Sequence, residues 1–87
     1  MLPPVKDDAS ARIKRIIGQA NGIGRMIEED RYCVEILQQI AAARSALDQL
    51  GVQILTGHLE SCLLAADETS HRALLEEVRT CLSGFLK

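Results

Sequence analysis

The stretch from Arg31 to Ala66, RYCVEILQQIAAARSALDQLGVQILTGHLESCLLAA, limits what this chain can fold into more than any other part. It holds no proline, and Val34, Leu37, Ile40/Ala41, Leu47, Leu50, Ile54/Leu55, Leu59 and Cys62 recur at three- and four-residue steps. That is the period of a helix with one buried stripe. Gly51 and Gly57 interrupt it, each at a cost of about 1 kcal/mol against alanine. Neither has Pro, Asn or Ser beside it to make a turn, so one helix is predicted. Such a rod spans about 54 Å at roughly 1.5 Å per residue. A compact globule of this length has a radius of gyration of only about 12 Å. The rod needs a partner.

Cys33 lies near one end of the stretch, His58 and Cys62 near the other. His58 and Cys62 are i and i+4, on one helix face a turn apart. Cys33 precedes Cys62 by 29 residues, about 43 Å along a continuous helix, so one chain cannot bring the three together. Two antiparallel copies can, with Cys33 of one facing His58 and Cys62 of the other, and two-fold symmetry makes the site twice. A turn at Gly51 would instead leave Cys33 and Cys62 mismatched in height by about 10 Å. Two thiolates and an imidazole are soft donors, suited to Cu(I), zinc or iron–sulfur clusters. Closed zinc sites want four ligands and clusters usually four cysteines, whereas three soft donors without a carboxylate suit low-coordinate Cu(I). Spacing alone leaves the plainer reading open, in which a cysteine on an apolar helix face is a small buried hydrophobe.

Eighty-seven residues make a single domain, 1–87, with little private core. Hydrophobic content is 47%, Tyr32 and Phe85 are the aromatics, and both prolines fall at positions 3 and 4. The class predicted is all-α. No apolar run approaches the roughly 18 residues of a membrane span. The opening MLPPVKDDAS lacks a basic-then-apolar signal pattern, which favours the cytoplasm. Thiols stay reduced there, so three scattered cysteines point to metal or redox chemistry rather than disulfides. Net charge is −2, but four basic residues and no acidic one fall between Arg12 and Arg25. From Tyr32 onward four basic residues face seven acidic ones. The positive charge is concentrated in the first helix, as a solvated face or as a phosphate-contacting one. No helix-turn-helix or zinc-finger spacing names a recognition helix. No nucleophile elbow, phosphate loop or framed carboxylate pair points to an enzyme.

Residues 1 to about 8 read as a flexible arm, with Asp7, Asp8 or Ser10 capping a first helix over roughly 9–29. Ile13, Ile16/Ile17, Ala20, Ile23 and Ile27 give that helix one apolar face, and Gly18, Gly22 and Gly24 permit close approach of a neighbour. The acidic cluster Glu28, Glu29, Asp30 ends it against its dipole. After the rod, ADETSHR reads as a turn, with Thr69 or Ser70 capping a last helix whose stripe is Leu74/Leu75, Val78, Leu82 and Phe85/Leu86. His71 falls in that turn and reads as solvated, and Cys81 falls on the last helix, near no other ligand type, and reads as structural. The architecture predicted is three helices, short, long and short, with two copies forming an antiparallel four-helix bundle and the last helices appended.

The segment RIKRIIGQANGIGRMIEEDRYC (12–33) and the spacing Cys33–(x24)–His58–(x3)–Cys62 resemble the CsoR-type metal-sensing repressors, over roughly residues 9–87. The cysteine–histidine–cysteine arrangement is similar to the family's copper subgroup. Nickel/cobalt sensors carry extra histidines, including one near the N-terminus, and MLPPVKDD has none. Persulfide sensors keep the cysteines without the histidine. Formaldehyde sensors place a proline directly after the initiator Met, where this chain has Leu2 before Pro3. The resemblance implies a transcriptional repressor, a dimer of dimers whose apo form binds operator DNA of copper-homeostasis genes and which Cu(I) releases. It implies Cys33 of one protomer and His58 and Cys62 of the other as ligands, with Tyr32 hydrogen-bonding outside them. A glutamate on the last helix completes the family's network. The position aligned here holds Ala73, so Glu77, beside Glu76, is taken for that role. Arg12, Lys14, Arg15 and Arg44, with Gln19 of the signature, fall where the family contacts DNA. The alternative function is a thiol-based sensor of reactive sulfur that links Cys33 to Cys62 of a partner chain.

Overall fold

The computed structural model describes the backbone of residues 1–65 and 68–85, and their side chains except at 62–65 and 68–70. Three helices follow one another: α1 (Pro3–Glu28), α2 (Cys33–Ala65) and α3 (Glu68–Phe85). The described residues include no strand. The class and the helix count are those predicted, though α1, at 26 residues, is longer than expected.

The extra length lies at the start, where no flexible arm is found. Pro3 and Pro4 occupy the first turn of α1. Proline suits that position because its φ is already helical and the N–H it lacks would have no intrahelical partner there. Asp7, Asp8 and Ser10 therefore lie inside the helix and cap nothing. The N-cap is Leu2, extended at φ −65° and ψ 145°, with no side-chain hydrogen bond. Its carbonyl accepts from the Lys6 N–H at 3.0 Å.

The end of α1 comes where the acidic cluster placed it. Asp30 takes φ 54°, and the Asp30 and Arg31 N–H groups donate back to the carbonyls of Ile27 (3.2 Å) and Met26 (3.0 Å). This pair of bonds, nested about a left-handed residue, satisfies the last carbonyls of α1. Asparagine and aspartate tolerate that conformation better than other side chains. The Tyr32 carbonyl then receives the Glu35 and Ile36 N–H groups and starts α2.

α2 runs unbroken through Gly51 and Gly57, 33 residues in all, as predicted. Both glycines have a packing reason. A Cβ on Gly51 would stand 2.7 Å from Cζ of Phe85, and one on Gly57 would stand 2.6 Å from Cγ1 of Val5. The close approach expected at Gly18, Gly22 and Gly24 is absent among the described residues: Gly18 and Gly24 face open space, and Gly22 meets only the Arg25 guanidinium at 3.8 Å.

Residues 66 and 67 of the predicted ADETSHR turn lie outside the described residues. α3 begins at Glu68, so Thr69 and Ser70 fall within the helix rather than before it. His71 is likewise helical and half-buried, not a solvated turn residue. Its Nε2 is buried without a hydrogen-bond partner among the described residues.

α1 packs antiparallel on α2, burying Ala9, Ile16 and Leu50 with Ile13 and Ala46 against them. α3 folds back along the second half of α2, laying Phe85 over Gly51. The core is thin, for no side chain among the described residues is fully buried. The radius of gyration is 17.1 Å against about 12 Å for a compact chain of this length. Accessible surface is 6692 Å², against about 5,000 Å² for a compact monomer of this mass.

Candidate metal centre

Part of the exposed hydrophobic surface follows a line along α2. Leu37, Ile40, Leu47 and Ile54 are 61%, 44%, 48% and 40% exposed, although each is a large hydrophobe. With Arg44 and Gly51 between them they form a seam of alternating three- and four-residue steps, the spacing of paired helices. Extended by one step each way, the seam begins at Cys33 and ends at His58. Both are exposed.

Within one chain these two lie at opposite ends of α2, 25 residues and about 37 Å apart. Cys62 follows His58 by one helical turn in α2, and its side chain is outside the described residues. Among the described residues no three His, Cys, Asp or Glu side chains come together as a metal site. One protomer therefore holds the donors apart, as the rod-like spacing required. As a set, two thiols and one imidazole are soft and carry no carboxylate, which fits a soft cation of low coordination number.

The surroundings of His58 differ from expectation. His58 lines a groove between α2 and α3 with Leu55, Leu82 and Phe85, and the other sulfur or nitrogen ligand there is Cys81. Cys81, read from the sequence as structural, is exposed. Glu77 is exposed on α3 and does not line this groove, and Glu76 accepts from Arg79 at 3.0 Å. Tyr32 is 66% exposed just ahead of Cys33.

The basic residues converge in part. Arg12, Arg15 and Gln19 of α1 line one cleft against Ala46 and Gln49 of α2. Arg12 and Arg44 line the adjoining cleft with Asp48, Gln53, Val52 and Phe85. The Arg12 Nη1 donates to Oε1 of Gln49 at 3.0 Å, a bond that aims this guanidinium and that sequence reasoning missed. Lys14 is exposed and lines neither cleft. Val52 and Phe85 belong to the His58 groove as well as to the Arg12–Arg44 cleft, so α3 joins the two.

Known proteins resemble this chain over most of its length. Residues 5–83 match the family model described as metal-sensitive transcriptional repressor. The copper-sensing transcriptional repressor RicR of Mycobacterium tuberculosis is 46% identical over 61 residues, 70% of this chain and 64% of that protein. The copper-sensing transcriptional repressor CsoR of Bacillus subtilis is 44% identical over 61 residues, 70% of this chain and 60% of that protein. The chain thus spans less than two thirds of the length of these relatives. Among solved structures, the copper-sensing repressor CsoR with Cu(I) from Geobacillus thermodenitrificans superposes with a TM-score of 0.88 at 36% identity, covering 100% of this chain and 92% of that one. A single-substitution variant of the formaldehyde-responsive regulator FrmR from Salmonella enterica superposes with a TM-score of 0.86 at 29% identity, covering 97% of each. With a family match over residues 5–83, the chain belongs to the metal-sensitive transcriptional repressor family.

Proposed function

We propose that this chain, as a single 1–87 domain, is a Cu(I)-responsive transcriptional repressor of the cytoplasm. Its apo form holds operator DNA of copper-homeostasis genes, and copper binding releases it. The single observation that carries the reading is the exposed hydrophobic seam of α2, which leads from Cys33 to His58. Reflection of α2 about Leu47 pairs Ile40 with Ile54. The same reflection sets Cys33 opposite position 61, between His58 and Cys62. Two copies packed antiparallel on their exposed hydrophobes thereby assemble Cys33 of one with His58 and Cys62 of the other, twice. The similarity to copper-sensing repressors, and to one solved with Cu(I), supports copper as the ion.

Bound Cu(I) would supply a soft three-coordinate tie between the two chains. Every other step belongs to the chain itself. His58 commits one ring nitrogen to the ion and leaves the other for a hydrogen bond, for which Tyr32 and Glu77 are the candidates. A shift of His58 is felt by Phe85, which lines the same groove, and through Phe85 by the cleft of Arg12 and Arg44. Arg12, Lys14, Arg15, Gln19 and Arg44 hold the phosphates of the duplex, as a dimer of dimers in the full complex. Coupling of about 1–3 kcal/mol weakens operator binding 5- to 150-fold.

The test is anaerobic Cu(I) titration against a competing chelator, with X-ray absorption on the loaded protein. One ion per protomer with two sulfurs and one nitrogen, lost in Cys62→Ala, is expected. Binding unaffected by Cys62→Ala refutes the site, and a Cys33–Cys62 linkage under sulfane sulfur with no copper response would favour the thiol sensor. His58→Ala should keep copper but no longer release DNA.

A further inference from the structure

The three-donor site needs two chains, yet one chain already places a thiol and an imidazole on facing helices. His58 of α2 and Cys81 of α3 line the same groove, and the remaining lining is Gly51, Val52, Ile54, Leu55, Leu82 and Phe85, none of which is a metal ligand. Both ligands are exposed, so the groove is open to an incoming ion. Cys81 fills no core position that would otherwise explain it.

We propose that His58 and Cys81 form a second, two-coordinate site for a soft monovalent cation within a single protomer, and that it is where Cu(I) first lands. A linear nitrogen–metal–sulfur arrangement asks only for two donors about 4 Å apart, the sum of bonds of roughly 2.0 and 2.3 Å. Thiolate and imidazole select such an ion, and carboxylate-preferring cations find no oxygen side chain in the groove. On capture the Cys81 thiol loses its proton. On transfer His58 keeps the ion, Cys62 of the same chain and Cys33 of a second copy replace Cys81 and release their own protons, and Cys81 regains one. No electron changes hands. The entry role rests on the copper reading above, whereas the two-donor site itself does not.

The experiment isolates Cys81. The Cys33→Ala/Cys62→Ala variant, purified anaerobically and checked for helicity by circular dichroism, is titrated with Cu(I) against a graded chelator. One ion per protomer with one sulfur and one nitrogen by X-ray absorption is expected. A further Cys81→Ser change should weaken that binding at least about tenfold. Binding no tighter than in the triple variant overturns the site. In the otherwise wild-type chain, Cys81→Ser should slow copper loading from a chelator complex while leaving the equilibrium affinity unchanged. An unchanged loading rate overturns the entry role. Failure of the copper reading registers elsewhere, as loss of the two-sulfur, one-nitrogen signature in the wild-type protein.

Discussion

Gly57→Ala separates what α2 prefers as a helix from what the fold demands of it. Helix propensity alone makes this change stabilising by about 1 kcal/mol. The fold makes it costly, because Gly57 is buried under the first turn of α1. The new methyl would stand 2.6, 3.3 and 3.4 Å from Cγ1, Cβ and Cγ2 of Val5. Ordinary carbon–carbon contact is about 3.5–4.0 Å, so Val5 has to move. Overpacking of this kind costs typically 1–3 kcal/mol, which after the propensity gain leaves a net loss of about 1 kcal/mol. Removing the 2.6 Å and 3.4 Å contacts while the 3.3 Å contact to Cβ remains shifts the balance: in a Val5→Ala background, Gly57→Ala should be neutral to stabilising by up to about 1 kcal/mol, a coupling of about 1–2 kcal/mol. Urea or thermal unfolding of the four proteins at one fixed protein concentration measures the cycle. A 1 kcal/mol change moves the midpoint of a domain this size by about 4–8 °C. If Gly57→Ala stabilises equally in both backgrounds, Val5 does not lie on Gly57 and the seating of α1 beside His58 is wrong.

Leu47→Glu sets two like charges against each other at the proposed two-fold. It should weaken association by about 3 kcal/mol or more and abolish the two-sulfur copper site, and an unchanged sedimentation profile would refute the register. Arg15→Ala should weaken operator binding and lower the slope of log affinity against log salt by about one unit, whereas an unaltered slope removes Arg15 from the interface. Asp30→Val should destabilise by about 1–2 kcal/mol because a β-branched residue resists φ 54°, while Asp30→Gly should not. Equal unfolding midpoints for these two variants would show that the left-handed turn is not held in solution.

The long helix is legible in the sequence because its period is continuous and no turn-forming residue flanks either glycine. The pairing of two chains is proposed from the distance between Cys33 and Cys62 and from the exposed seam. The first turn of α1 is not legible, because two prolines suit an extended arm and a helix start equally well, and only packing decides between them. Val5 supplies that packing against Gly57. The roles of the glycines are hidden for a related reason, since the need for a missing side chain depends on what arrives from elsewhere. Phe85 arrives at Gly51, and among the described residues no side chain other than Arg25, at Gly22, comes within 4 Å of a Cβ placed on Gly18, Gly22 or Gly24. Of the residues matched to the family's DNA contacts, Arg12, Arg15, Gln19 and Arg44 line two adjoining clefts. Lys14 stands apart from them by helical phase. Cys81 is out of reach of sequence reasoning, because its neighbourhood with His58 is set by the register in which α3 folds back.

The surplus surface bears on how release of DNA must work. Each chain exposes about 1,700 Å² more than a compact monomer of its mass. Covering most of it in a pair gives an interface of about 3,000 Å², the range of obligate dimers. Folding and association are then one equilibrium, and a ligand whose donors come from both chains adds its binding free energy to that association. Copper at Cys33, His58 and Cys62 therefore tightens the dimer, and release by dissociation of the pair is excluded on this reading. The change has to occur inside an intact dimer. The described structure offers a route, the two residues Val52 and Phe85 that line both the His58 groove and the Arg12–Arg44 cleft. Phe85→Ala should accordingly leave dimerisation and copper affinity close to wild type while shrinking the 5- to 150-fold copper effect on operator binding toward unity. Retention of the full effect in a dimeric, copper-loaded Phe85→Ala protein would place the coupling outside α3.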